Sequence, residues 1–462
     1  MRTYFVPIYK QITWTFLCLL VLLSACQHYT PQPLSNQIHF SSLQSEKLTI
    51  ATTTFPFQGQ AIRTVKPSEK WGRQDIALLA VINNPALNLI RDDAKVSSAQ
   101  AFAAGLLPDP KIEGAQDFPY GSPPPGSTTG YLIGPTYDYM SSLLSYSANK
   151  AASSATQKQV NLTVLWQEWQ TISQSQILYT RTVSFGEQLD LLRKQKKLLE
   201  RNYKQIHFSF EKGNSTLDEV DSQLAALNGL NQQMNVIVQQ YNQNQHDLNL
   251  FLNLPPETVL LLSNDLSFPH PDKQYIEDHL QTWLSKRADM LALQAGYESQ
   301  DEQFRAAILG QFPAVLLGLN LQRGTDALKS YGYTFSLGLP VFNGNKGNVA
   351  IARTTRQKLY DDYQQRLNTA YSDIILLLKQ QALLESAEHS LKQRASSAAA
   401  LALASDQAYK QGNIDLKTYT NANMNALSAR LELIALQQTL LEQGIALQTQ
   451  IGSSVPMESG KK

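Results

Sequence analysis

The second half of this chain repeats the first, and no other feature limits the fold as strongly. Gly105-Leu106-Leu107-Pro108 returns as Gly310-Gln311-Phe312-Pro313, and Phe210-Glu211-Lys212-Gly213-Asn214 returns as Tyr409-Lys410-Gln411-Gly412-Asn413. Between these landmarks the stretch 137–157 lines up loosely with 337–357, so three landmarks recur in one order at an offset of about 200 residues. One supersecondary unit is used twice, and the unit must be read before the whole.

Each copy begins with an Ala- and Leu-rich helical segment. The first spans 74–104, with Pro85 near its start, and stops at Gly105 before Pro108; the second spans 275–309 and stops at Gly310 before Pro313. Period-two alternation follows. Tyr331, Tyr333, Phe335, Leu337, Leu339 and Val341 alternate with small or polar residues, as do Val315, Leu317, Leu319 and Leu321, which predicts strands with one apolar face. First-half strands over 111–118 and 131–140 alternate less cleanly, and the segments 119–130 and 323–330 are hairpin loops. Long helices come next. The stretch 148–211 contains no Pro and only Gly186, and 348–410 contains neither Pro nor Gly. At 1.5 Å per residue the first could reach roughly 95 Å.

Both long helices break at Gly-Asn. Leu217, Val220, Leu224, Leu227, Met234, Ile237 and Tyr241 then keep a three-four spacing, as do Leu427, Leu431, Ile434, Leu441 and Ile445, which predicts antiparallel return helices on a coiled-coil seam. Ser215 or Thr216, and Asp415, are placed to cap them. Four strands cannot close a lipid-facing barrel, because single-chain barrels need at least about eight. The strands therefore belong either to hairpins in a soluble sandwich or to an oligomeric barrel.

The N-terminus favours the envelope. Arg2 and Lys10 precede a mostly apolar run from Ile12 to Leu23 that ends in Leu23-Ser24-Ala25-Cys26, the pattern of a secretory signal with a lipobox. The run is shorter than the roughly 20 residues of a spanning helix. It resembles bacterial lipoproteins, which implies a signal peptide over 1–25, lipidation (palmitate included) at Cys26 and, with Gln27 following, delivery to the outer membrane. No later stretch has the length of a transmembrane helix, so any further crossing would use a barrel. The 20 Tyr residues suit an interfacial girdle. A net charge of +1 with 17% charged residues supplies no basic field for nucleic acid.

Catalytic signatures are missing. His28, His39, His207, His246, His270, His279 and His389 form no close ligand spacing, and neither a nucleophile elbow nor a phosphate loop occurs. Asp92-Asp93 and Asp361-Asp362 lie in helical segments and suit a solvated face. No enzyme activity, cofactor or metal site is expected.

The lipobox, the duplicated units, Gly-Leu-Leu-Pro-Asp-Pro at 105–110, Leu339-Pro340-Val341-Phe342-Asn343-Gly344 and the paired Gly-Asn turns resemble the TolC family of outer membrane efflux proteins over residues 70–452. The resemblance implies a chain that is mainly α with a membrane β-barrel portion: a homotrimer sharing one twelve-stranded barrel, continued by an α-helical periplasmic tunnel with an equatorial belt. It divides the chain into an N-terminal arm over 26–70, repeats over 71–260 and 261–452, and a tail over 453–462. It also implies a passive efflux channel, an inner-membrane RND-type pump and a periplasmic adaptor. The adaptor would meet the tips formed by Gly213, Asn214, Ser215, Gly412, Asn413 and Ile414. Gate candidates are Asp218, Glu219, Asp221, Tyr409, Thr418 and Asn421; residues matching Glu219 and Tyr409 help hold the mouth shut in the family. Ile414, Thr418 and Asn421 stand where the family has an arginine and two pore-constricting aspartates. The run from Phe342 to Asn348 is similar to the heavy-metal efflux branch, although Asn and Gly there also suit a turn. Two alternatives stay open: a type I protein-secretion outlet, and a lipidated adaptor or other coiled-coil assembly protein.

Overall fold

The computed structural model describes residues 29–31, 34, 70–264 and 272–452. The leader, Cys26, Gln27, most of the 26–70 arm, the 453–462 tail, and His28, His39 and His270 lie outside the described residues.

The helix expected over 74–104 is two helices, α1 (Arg73–Asn83) and α2 (Pro85–Ala104). Proline explains the break. Pro85 bars helical backbone at Asn84, which adopts φ −58 and ψ 120 and whose Oδ1 accepts the Leu87 N–H at 2.8 Å as the α2 cap. Strands β1 (Lys111–Asp117) and β2 (Gly130–Asp138) lead to α3 (Tyr139–Glu211), a helix of 73 residues that starts nine residues earlier than the sequence suggests. Helix α4 (Leu217–Phe251) returns along it.

In the second half the expected 275–309 helix is three pieces, α5 (Lys273–Asp278), α6 (Leu280–Lys286) and α7 (Ala288–Leu309). Arg287 leaves helical geometry between the last two, with φ −61 and ψ 137. Strands β3 (Ala314–Arg323) and β4 (Lys329–Gly338), the 65-residue α8 (Lys346–Lys410) and α9 (Leu416–Ile451) complete the repeat. No described helix is long and apolar enough to cross a membrane.

The strands form one antiparallel sheet in the order β1-β2-β3-β4, with the two hairpins joined through β2 and β3. Partnered residues share a face, so the register sorts the side chains. Ile133, Leu321 and Tyr331 make one row of the apolar face, and Tyr137, Leu317 and Phe335 another. Tyr331, Tyr333 and Phe335 are 82, 85 and 64% exposed, far more than a core strand allows. On the opposite face lie Thr136, Gly318 and Thr334 in one row and Gln322 and Ser330 in another. Asn320 Nδ2 donates to Thr334 Oγ1 there at 3.0 Å.

Glycine sets the approach of the two repeats. A Cβ on Gly134 would lie 1.7 Å from the Leu319 carbonyl oxygen, and the next residue, Pro135, has no N–H for a ladder bond. The β2–β3 pairing skips both positions. β1 and β4 are the unpaired edges of the described sheet.

Helix packing comes in separate clusters along the bundle. Ile276, Leu280 and Leu284 pack with Ile374 and Leu378 of α8 and Leu447 and Ile451 of α9. Leu192 and Leu199 of α3 meet Leu230 of α4 and Leu427 and Leu431 of α9. Leu217, at the tip, is 67% exposed, whereas most of the three-four positions of the return helices are core. Burying such side chains contributes about 1.5–3 kcal/mol each.

Candidate functional site

The two helix reversals are built alike. Gly213 and Gly412 both have φ 76, a left-handed conformation cheap only without a Cβ, and a Cβ on either would meet nothing within 4 Å. Asn214 N–H returns to Ser209 O at 2.9 Å and Asn413 N–H to Ala408 O at 2.8 Å, closing each helix end with the same motif. At the first tip Thr216, not Ser215, caps the return helix. Its amide donates to Glu219 Oε2 at 2.8 Å while the Glu219 amide donates to Thr216 Oγ1 at 3.4 Å, a reciprocal capping box. Ser215 Oγ instead donates to Ile206 O at 3.2 Å. At the second tip the Thr418 amide donates to Asp415 Oδ1 at 2.7 Å, and the Thr418 hydroxyl and amide hold the Asp415 carboxyl below its ordinary value.

The tips also hold each other. Ile206 of α3, Val220 of α4, and Leu416 and Tyr419 of α9 form one buried cluster, with Leu198, Tyr203, Tyr409 and Ile414 packed against it. Tyr409 stacks on Tyr419 with centroids 5.0 Å apart. Burial, and then the Asp406 carboxylate, push the Tyr419 phenol up. Lys417 Nζ reaches Asp218 Oδ2 at 3.4 Å, and Thr420 Oγ1 donates to Gln223 Oε1 at 3.0 Å inside the contact. Of the gate candidates, Asp218 and Tyr409 thus join the contact between hairpins. Glu219 serves its own helix start, and Asp221, Thr418 and Asn421 are exposed.

Sequence reasoning missed Thr420, Gln223 and Tyr419, because polar and aromatic residues at seam spacing carry no signature of their own. It also missed a buried ionic cluster. The Arg287 guanidinium is fully buried, donates to Asp289 Oδ1 and Oδ2 at 2.9 and 2.7 Å and to Gln450 O at 2.8 Å, and lies 4.8 Å from the Trp166 ring centroid. Arg366 Nε donates to Asp289 Oδ2 at 2.7 Å. Burial pushes the Asp289 carboxyl up, but hydrogen bonds and charge from Arg287, then Arg366, outweigh it and hold the group below its ordinary value. The cluster ties α3, α7, α8 and α9 together.

The Phe342–Asn348 run has a structural task. Asn345 takes φ 54 and its Nδ2 donates to Ala307 O at 2.7 Å, closing the end of α7; a Cβ on Gly310 would sit 2.7 Å from that nitrogen. Gly344 and Asn345, both at positive φ, thus serve the turn into α8.

This arrangement defines a class: a duplicated protomer that contributes a sheet with two free edges and two long helical hairpins. Its fold is that of the CmeC outer membrane channel of Campylobacter jejuni, with a TM-score of 0.68 at 16% identity over 94% of this chain and 96% of that one. VceC of Vibrio cholerae superposes with a TM-score of 0.67 at 16% identity over 83% and 96%. MtrE of Neisseria gonorrhoeae, in its open state, does so at 0.63 and 17% identity over 82% and 89%. No curated protein matches by sequence. A family model described as "Outer membrane efflux protein" matches residues 279–453, the second repeat. The second repeat thus matches the outer membrane efflux protein family, and the fold of the whole protomer is that of outer membrane channels.

Proposed function

We propose that three copies close into one tube that forms the exit of a tripartite efflux system. The carrying observation is the sheet with two free edges, β1 and β4. Four antiparallel strands per copy put β4 of one copy antiparallel to β1 of the next, so three copies make a closed barrel of twelve. The exposed Tyr331–Leu337 face then meets lipid and the Gly, Ser, Thr and Asn face lines the lumen. The helical hairpins extend this tube into the periplasm, where the Gly213–Ser215 and Gly412–Ile414 tips meet a periplasmic adaptor fed by an inner-membrane RND-type pump. Acylated Cys26 adds a lipid anchor.

Passage is passive, so no residue need hold substrate tightly. The mouth is governed by the contact between hairpins, with Tyr409, Tyr419, Thr420 and Gln223 at its centre and the Asp218–Lys417 pair at its edge. A type I secretion outlet would use the same tube. A single sheet shared by two hairpin units does not suit a lipidated adaptor, for which one hairpin between β-rich halves is expected.

Purified protein in planar bilayers tests this reading. Trimers that conduct ions are expected, and a water-soluble monomer without conductance would end it.

A further inference from the structure

The last row of the apolar face carries two cations where every other row ends in hydrocarbon or aromatic groups. Arg323 closes β3 and Lys329 opens β4, and the two are direct partners across the hairpin, with Tyr131 of β2 partnered to Arg323 on its other side. The next row inward is Ile133, Leu321 and Tyr331. Like charges directly opposite each other in a sheet repel, and neither Arg323 nor Lys329 has an ion-pair partner among the described residues. Two carboxylates lie nearby. Asp326, at the hairpin tip, accepts the Leu328 N–H at 3.0 Å, and Asp117, the end of β1, sits beside Gly130 on the opposite face of the sheet. Arg323 Nε is buried with no hydrogen-bond partner. The residue as a whole is half-buried, so any contact with an external anion would use its terminal guanidinium nitrogens rather than Nε.

We propose that Arg323 and Lys329, flanked by Tyr131 and Tyr331, bind the phosphate of an outer-leaflet lipid. This rests on the channel reading, which turns the apolar face to the bilayer. The hairpin turn lies at the end of the sheet away from α3 and α8, hence at the outer surface. Arginine and lysine together match a phosphate: the guanidinium offers parallel N–H donors and the ammonium a mobile point charge. Tyrosines at that depth sit at the headgroup boundary, and the Leu321, Leu319 and Leu317 column below them suits the acyl chains. A phosphorylated lipid fits this site on both counts, whereas free phosphate would use only the two cations.

The test uses full-length trimers whose conductance has first been measured, so that failure of the channel reading is seen separately. Native mass spectrometry would compare bisphosphorylated lipid A with its dephosphorylated form. Wild-type protein should prefer the phosphorylated lipid by about tenfold or more, the advantage of a charge-assisted site over a neutral one. Lys329→Gln, and Arg323→Gln with Lys329→Gln, should lose that preference, whereas Lys329→Arg should keep it. Lys329 is exposed, so the single variant reports even where the double variant fails to assemble. Equal binding of the two lipids by wild type, or a preference that survives Lys329→Gln, would overturn the assignment. Displacement of the lipid by equimolar inorganic phosphate would do so as well, since it would mark a free-anion site.

Discussion

Removing the Asp289 carboxylate should destabilise the protein strongly. In Asp289→Ala the Arg287 guanidinium, with a fully buried side chain, keeps only Gln450 and the Trp166 face as partners. An uncompensated buried charge of this kind costs about 3–5 kcal/mol, because desolvation is no longer offset. At 1.4 kcal/mol per factor of ten, that shifts the unfolding equilibrium by about two to three and a half decades. Arg366 is 36% exposed, so Arg366→Gln should cost only about 1 kcal/mol or less after screening. Guanidinium unfolding followed by circular dichroism, at one fixed protein concentration, reads both values. The pH dependence supplies a second signature. A carboxyl held below its ordinary value of about 3.9 contributes stability above that pH and loses it as pH falls through the lower folded value. Wild type should therefore lose this contribution in acid, and Asp289→Ala should lack that loss. Replacing Arg287 with Met in the Asp289→Ala background should recover most of the deficit, since no orphan charge remains. A change within about 1 kcal/mol for Asp289→Ala, below the range for a buried pair, would refute the reasoning.

Other consequences are more local. Gly134→Val places side-chain atoms on the Leu319 carbonyl and should abolish assembly, read as loss of the trimer on blue-native gels. Gly213→Trp and Gly412→Trp should stop efflux while trimers persist, because a Cβ at either position meets nothing within 4 Å and the φ penalty is about 1–2 kcal/mol. Normal resistance in both variants would argue against adaptor docking at the tips. Tyr419→Ala with Thr420→Val should raise single-channel conductance by loosening the contact between hairpins, and an unchanged conductance would remove that contact from the gate. Cys26→Ser should abolish palmitate incorporation.

The long helices, the paired turns and the second-half strands were legible because each follows from a local rule: absent Gly and Pro, Gly at a left-handed reversal, or strict alternation. Helix breaks were legible only in part. Pro85 announces the Asn84 break, but nothing local marks Arg287, whose extended backbone serves contacts with Gln450 and Trp166. Those partners lie on α9 and α3, far away in sequence, so only the fold could reveal them. The first-half strands alternate poorly partly because Gly134 and Pro135 meet the demands of a close junction rather than of a face. The acidic run at 218–221 resembled a unit, yet Glu219 caps its own helix and Asp218 faces Lys417. Capping and cross-hairpin pairing use the same residue types as gating, and sequence alone does not separate them.

Cross-linking the free edges tests the central claim most directly. With Ala115→Cys in β1, each of Ser330→Cys, Gly332→Cys, Thr334→Cys and Ser336→Cys in β4 would be oxidised in membranes. The ring predicts covalent dimers and trimers for at least one pair, since these residues share the polar face. Monomers alone for all four pairs would contradict a threefold barrel closed between β4 of one copy and β1 of the next.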